Sequence, residues 1–277
     1  MLWERAKTLC IIFFLLLNIA LAFLHYNESK QYVLTPEQER LVYQMLRQNQ
    51  INIYCRLIHE YPPMRPLSVS DYQYDMDALI SLLFDEPHEV VDIQTSAEEE
   101  YYDGTARLTL SNGYITYDCP DGFKPRANVS VLGMDEAVML CDTFVQQYDT
   151  NFVLDASGMV DLADGWRIPY RENFQKSIVH TNFIEFLVTE KGIEQIDMQY
   201  RPLHGFTGPA QAICSPDEAL LTFIQHVRVL YNDTPVIIKN MDLVYYQDKA
   251  QALPYYRIFI ESQEVPFLIN AYTNTLR

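Results

Sequence analysis

Cysteine, glycine and basic side chains are all scarce in this sequence. Lys and Arg total 20 against 37 Asp and Glu, for a formal charge of −17 with no basic cluster. A surface of that sign repels nucleic acid, which excludes the nucleic-acid-binding classes. Only four cysteines (Cys55, Cys119, Cys141 and Cys214) lie outside the opening apolar run. Four allow three pairings, but the spacings match neither a C-x-x-C metal site nor a disulfide-dense scaffold, so free and mostly buried thiols are expected. Nine glycines build no phosphate-cradling loop, and G-x-S-x-G and H-E-x-x-H are missing as well. The six histidines, at 25, 59, 88, 180, 204 and 226, stand at no metal-ligand spacing from one another. The expectation is a non-enzyme with no catalytic residue, no cofactor and no metal. Asp161-x-x-Asp164, in an expected loop, is the nearest approach to a weak cation site, and Glu98-Glu99-Glu100 reads as a solvated loop.

What is abundant is apolar and aromatic. Twenty tyrosines and long Ile/Val/Phe-rich stretches favour sheet. The chain opens with an apolar run, and no residue from Thr8 to Asn27 carries a formal charge. As a helix that run is about 30 Å long, the thickness of a bilayer's hydrocarbon core. Arg5 and Lys7 precede it and Glu28 follows, so the positive-inside rule leaves residues 1–7 as a short cytoplasmic tail, 8–27 as a transmembrane helix and the body outside. Ala20-Leu21-Ala22 is an A-x-A-like cleavage site and keeps a secreted form open. Within the span, Ile11, Phe14, Leu15, Asn18 and Ala22 follow helical spacing. Asn18, Phe14 and Ala22 are the candidate contacts to a partner helix; alternatively the Asn18 amide bonds within its own helix.

The body reads as α+β. Thr35-Pro36-Glu37-Gln38 is a capping box that starts a helix running to about Asn49, with Leu41, Met45 and Leu46 among its buried positions. "INIYCRLI" (51–58) reads as a strand, residues 75–84 as a helix and "HEVVDIQ" (88–94) as a strand. Asn112-Gly113 signals a type I′ hairpin. Its register pairs Leu110 with Ile115, Leu108 with Tyr117, Thr109 with Thr116 and Arg107 with Asp118, which separates apolar from polar faces. Two later helices carry buried stripes at helical spacing: Ala137, Leu140, Cys141, Phe144 and Tyr148, then Leu220, Phe223, Ile224, Val227 and Tyr231. Each opens on Asp-Glu-Ala and is followed by three strands. This order predicts tandem modules of one helix on a small antiparallel sheet: an outer α+β domain over 28–130, then a lobe over 131–277 of two modules, about 131–210 and 211–277. Tyr245, Tyr246, Tyr255 and Tyr256 place one ring on each strand face, as a candidate outer interface or as packing under a neighbouring loop.

Both ends carry a resemblance. "ERAKTLCIIFFLLLNIALAF" resembles the opening of YycI proteins, with Lys7-Thr8 leading into an anchor that contains Asn18. "LPYYRIFIESQEVPFLINAYTNTLR" resembles that family's last hairpin, through Tyr255 to Ile258 and Asn270 to Thr273; the hairpin alone is also similar to PepSY-type modules. Ser262-Gln263-Glu264 stands where an Asp/Gly-rich turn is usual, and Asn274 where a glycine is usual. The resemblance implies a single-pass regulator of Gram-positive bacteria, with its N-terminus cytoplasmic and its body extracellular. It further implies action with a YycH-like sister protein on a WalK (YycG)-type sensor histidine kinase of cell-wall homeostasis. The alternative is a secreted or anchored PepSY-like binding or inhibitory module for a protease or wall ligand.

Overall fold

The computed structural model describes residues 2–84, 91–94, 98–124, 133–149, 151–232 and 234–277; within the first helix, side chains are described for Trp3, Lys7, residues 10–22 and Gln31. Among these described residues, five helices and fifteen strands follow in the order α1 (Leu2–Gln31), α2 (Pro36–Gln48), β1 (Ile51–Ile53), β2 (Leu67–Val69), α3 (Met76–Leu83), β3 (Val91–Gln94), β4 (Glu98–Tyr102), β5 (Arg107–Ser111) and β6 (Tyr114–Phe123). Then come α4 (Met134–Tyr148), β7 (Phe152–Leu154), a 3-10 turn (Ala156–Gly158), β8 (Val160–Leu162), β9 (Gly165–Phe174), β10 (Ser177–Thr189), β11 (Gly192–Gln199) and β12 (Leu203–Phe206). The chain ends with α5 (Pro216–Tyr231), β13 (Val236–Asp248), β14 (Gln251–Ile260) and β15 (Phe267–Asn270). Residues 88–90 of the expected "HEVVDIQ" strand and the expected boundary at 130/131 lie outside the described residues.

The class is α+β, but the sheets are not small and separate. All fifteen strands belong to one sheet, with the main path β12-β2-β14-β13-β10-β11-β6-β5-β4-β3 and β1, β15, β7, β8 and β9 branching from it. Two pairings are parallel, β1 with β13 and β10 with β13, so the sheet is mixed rather than antiparallel. Strand alternation dictates which face a side chain takes, but not which strand lies next door. That is why the merger of the modules could not be read from periodicity.

Two large apolar cores sit on this sheet. One packs α3 and α4 over β5, β6, β9, β10 and β11. The stripe Ala137, Leu140, Cys141 and Phe144 is fully buried there, with Phe144 edge-on to Phe186. The other packs α2 and α5 over β1, β13, β14 and β15, around Leu220, Phe223, Ile224 and Val227. In α2 the buried positions are Val42 and Leu46, whereas Leu41 is about half exposed. One residue is 100° of helix, so Leu41 points past the face that meets α5.

Local chemistry decides the ends of elements. The Thr35 hydroxyl accepts from the Gln38 N–H at 3.3 Å while the Gln38 side chain accepts from the Thr35 N–H at 3.0 Å, closing the capping box at α2. The Glu218 carboxylate accepts from the Ser215 N–H at 2.9 Å at α5. The β5–β6 hairpin has the expected register. Asn112 and Gly113 take φ of 51° and 74°, and a Cβ on Gly113 would overlap the Tyr72 ring, so glycine is required there. Glu98-Glu99-Glu100 is part of strand β4 rather than a loop, with Glu100 ion-paired to Arg107 at 3.3 Å on the neighbouring strand.

The opening run forms α1, thirty residues long. Every side chain from Cys10 to Ala22 is exposed, on all sides of the helix. Among the described residues, which within α1 include the side chains of only Trp3, Lys7, 10–22 and Gln31, no helix is long and apolar enough to cross a membrane; the span from Thr8 to Asn27 therefore stays a reading of the sequence.

Candidate functional site

The residues singled out in the sequence do not come together. Phe14, Asn18 and Ala22 share one side of α1, yet exposure is equally high all round the helix and marks no seam. The Asn18 amide donates to the Phe14 carbonyl at 2.9 Å, one turn back, so part of its polarity is satisfied locally.

Of the four candidate interface tyrosines, three are buried: Tyr245, Tyr255 and Tyr256. Only Tyr246 keeps partial exposure. The rings do alternate between faces, but both faces of this half of the sheet are covered. Tyr256 faces the α5 core and donates its hydroxyl to the Cys214 carbonyl at 2.7 Å. Tyr245 lies among Leu67, Val69 and Val179 and donates to the Arg65 carbonyl at 2.8 Å. Burial raises the pKa of both hydroxyls. Tyr255 packs with Val244 and Leu268 on the opposite face. Tyr245 and Tyr256 are thus internal tethers and Tyr255 is a packing residue, which leaves Tyr246 as the one of the four with partial exposure.

Asp161 and Asp164 line a cleft with Trp166, Glu190, Lys191 and Glu194, and that lining carries no histidine. Among the described residues no group of three or more His, Cys, Asp or Glu is placed to hold a metal ion. The cysteines are free thiols: Cys141 is buried, while Cys55, Cys119 and Cys214 are half-buried. Burial pushes the Cys214 thiol up to about 12, the direction opposite to that of a reactive cysteine.

The ionisable groups that the fold does gather lie where the two cores meet. Strand β10 pairs with β11 over Phe183–Thr189, while its beginning meets β13 in parallel at Val179 and Tyr245. Between these stretches its ladder to β9 breaks: Val179 pairs with Glu172, and the next pair is Phe183 with Arg171. The intervening bulge, His180-Thr181-Asn182, re-aims side chains, burying Asn182 while His180 and Thr181 keep partial exposure. Asn182 is buried; its amide donates to Glu172 Oε2 at 2.6 Å and to the Arg201 carbonyl at 2.8 Å, and its oxygen accepts from the Arg201 N–H at 3.1 Å.

At the centre is Arg257 of β14, which is 1% exposed. Its Nε and Nη2 donate to Asp242 Oδ1 and Oδ2 at 2.9 and 2.6 Å. Its Nη2 also reaches Asp155 Oδ1 at 3.1 Å, and its Nη1 donates to Asp155 Oδ2 and, at 3.2 Å, to His180 Nδ1. Arg171 of β9 stands 3.5 Å from Asp155 and donates to Glu185 at 2.6 Å. Burial opposes the charge on Arg257, but Asp242 and Asp155 outweigh it, so its pKa is raised. His180 goes the other way: burial first, then Arg171 and Arg257, hold it well below 6.5. Asp242 and Arg257 come from the α5 half, and Asp155, Arg171, His180 and Glu185 from elements that pack with α4. The cluster therefore bridges the two halves with all its charges mutually engaged, an arrangement suited to holding a joint. No sequence signal short of the β10–β13 neighbourhood would have found it.

No family model matches the chain, and no curated protein matches it. Among solved structures it is similar to an uncharacterized protein from Eubacterium rectale, with a TM-score of 0.54 and 12% sequence identity over 81% of this chain and 88% of that one. At that identity the likeness is one of fold.

Proposed function

We propose that this chain is a membrane-anchored, non-enzymatic regulator that works by protein–protein contact, with α1 in the bilayer and the α+β body outside. The observation that carries this reading is α1 itself. Residues Cys10 to Ala22 are exposed around the whole helix, and among them Ile11, Ile12, Phe13, Phe14, Leu15, Leu16, Leu17, Ile19 and Leu21 are large and apolar. A helix that is apolar all round needs either a protein core or lipid, and the described body does not cover this one. The uncharged stretch Thr8–Asn27 spans about 30 Å as a helix, and Lys7 before it with Glu28 after it sets the orientation. The charged cluster of the body supports a mechanical rather than a chemical role, since each carboxylate beside Arg257 is held by a guanidinium.

The similarity of both ends to YycI proteins supports a YycH-like sister and a WalK-type sensor kinase as the partners. The test is crosslinking in membranes, with residues 1–30 kept or exchanged for an unrelated anchor. Capture of the kinase is expected with the native segment and lost on exchange; equal capture by both would rule out contact through α1. A second reading, a released PepSY-like binding module, is favoured by Ala20-Leu21-Ala22 and requires cleavage after Ala22.

A further inference from the structure

The joint between the halves contains one group that can change its charge near neutral pH without being part of an ion pair. The His180 ring lies at the bulge of β10; it touches Arg257 and Tyr246 directly and feels Arg171, and the other charged or titratable groups of the surrounding elements reach it through Arg257, Arg171 and Asn182. Element by element, these groups are Arg257 from β14; Asp242 and Tyr246 from β13; Arg171 and, beyond Asn182, Glu172 from β9; Asp155 before the 3-10 turn; and Glu185 on its own strand. Its polar contact is the one from Arg257 Nη1, at 3.2 Å. A guanidinium only donates, so Nδ1 must carry a lone pair and the ring must be neutral. A proton on Nδ1 would abolish that bond and set a third cation beside Arg171 and Arg257. The neighbouring carboxylates offer little relief, because Arg257 already occupies both oxygens of Asp155 and of Asp242.

The joint is also where the registered ladder is shortest. Continuity from β10 to β13 rests on a single registered pair, Val179 with Tyr245, backed by two small apolar clusters. A change in the His180–Arg257 contact thus acts where the least ladder has to be broken.

We propose that the β10–β13 joint is an acid-sensitive latch, in which protonation of His180 loosens the α5 half of the body from the α4 half. The latch goes beyond the anchored-regulator reading and does not depend on it.

The sign follows from linkage. In the closed joint His180 binds its proton less readily than it does in water, so opening takes up a proton. The latch is at full strength above the ordinary histidine pKa of 6.5 and weakens as pH falls below it. Each pH unit below that value favours opening up to tenfold, which is about 4-fold at pH 6 and about 30-fold at pH 5. Glu172 acts in the opposite sense: burial raises its pKa, so acid favours its closed, protonated form. A variant at position 180 separates the two.

The test is backbone amide exchange on the full-length protein in bilayer discs at pH 7.5, 6 and 5, corrected for the intrinsic pH dependence of exchange. In the wild type, protection of residues 177–182 and 242–246 is expected to fall between pH 7.5 and pH 5, to a limit of about 30-fold, while the β6–β11 pairing stays flat. In His180→Gln, whose side-chain oxygen can still accept from Arg257, the acid loss at the joint should disappear, leaving protection that is level or rises toward pH 5 through Glu172. The same acid loss in H180Q, or none in the wild type, overturns the latch. Should H180Q fail to fold, His180→Asn takes its place, and the ring is titrated by NMR in the wild type; a ring titrating near 6.5 in the closed protein overturns the proposal as well.

Discussion

The α5 core and the β10–β13 joint lie on the same strands, β13 and β14, yet they are built from opposite materials. On one face Tyr256, Ile258 and Ile260 meet the helix through Phe223 and Val227, with no charged side chain buried among them. On the other, Arg257 alternates with those residues and is as deeply buried, held by Asp155 and Asp242. Apolar contact is non-directional and indifferent to pH, so the first face supplies stability. The second fixes geometry: a guanidinium bound at both edges accepts only one arrangement of the strands that carry its partners. The protein thus uses large hydrophobic cores within each half and, between them, directional charge beside two small apolar clusters.

The largest effect that would sharpen this contrast is expected from Phe223→Ala. Emptying a fully buried ring site should cost about 3–5 kcal/mol in chemical denaturation. It should cost the same at pH 7.5 and 5.5, and a strongly pH-dependent loss would undo the division of labour. Arg257→Ala comes next, at about 3 kcal/mol, because it strands Asp155 in a buried site. Unlike Phe223→Ala, it should also flatten the acid response of the joint, since His180 loses the cation it faces; an unchanged pH profile would place the coupling elsewhere. The smallest effect is predicted for Arg167→Ala. Arg167 and Glu264 also link β9 to the β14–β15 turn, but both are well exposed, so less than about 0.5 kcal/mol should be lost. A larger loss there would mean that the joint extends to the surface.

How far the sequence could be read follows the same division. Helices and hairpins whose cause is local were legible: the Thr35–Gln38 box, the buried faces of α4 and α5, and the register around Asn112-Gly113. What depends on distant neighbours was not. Tyr245 and Tyr256 both end in packed environments supplied by residues distant in sequence, Leu67 and Phe206 around Tyr245 and the α5 core around Tyr256. Arg257 sits in "YYRIFI", where period-2 alternation makes it look like an outward-facing residue of an edge hairpin. Asp242 is its cross-strand partner in the β13–β14 hairpin, but Asp155 is 102 residues away and only the topology brings it within reach. Asn18 has two readings, a partner helix or a bond within its own helix, and its amide makes the second, donating to the carbonyl one turn back.

The most direct measurement for the proposed role is the intact mass of the native protein, purified from cells after separating the membranes. The anchored reading predicts a chain that retains residues 1–30, sediments with membranes and resists alkaline extraction. A soluble product beginning at Phe23 would contradict it, and would make the body a released binding module.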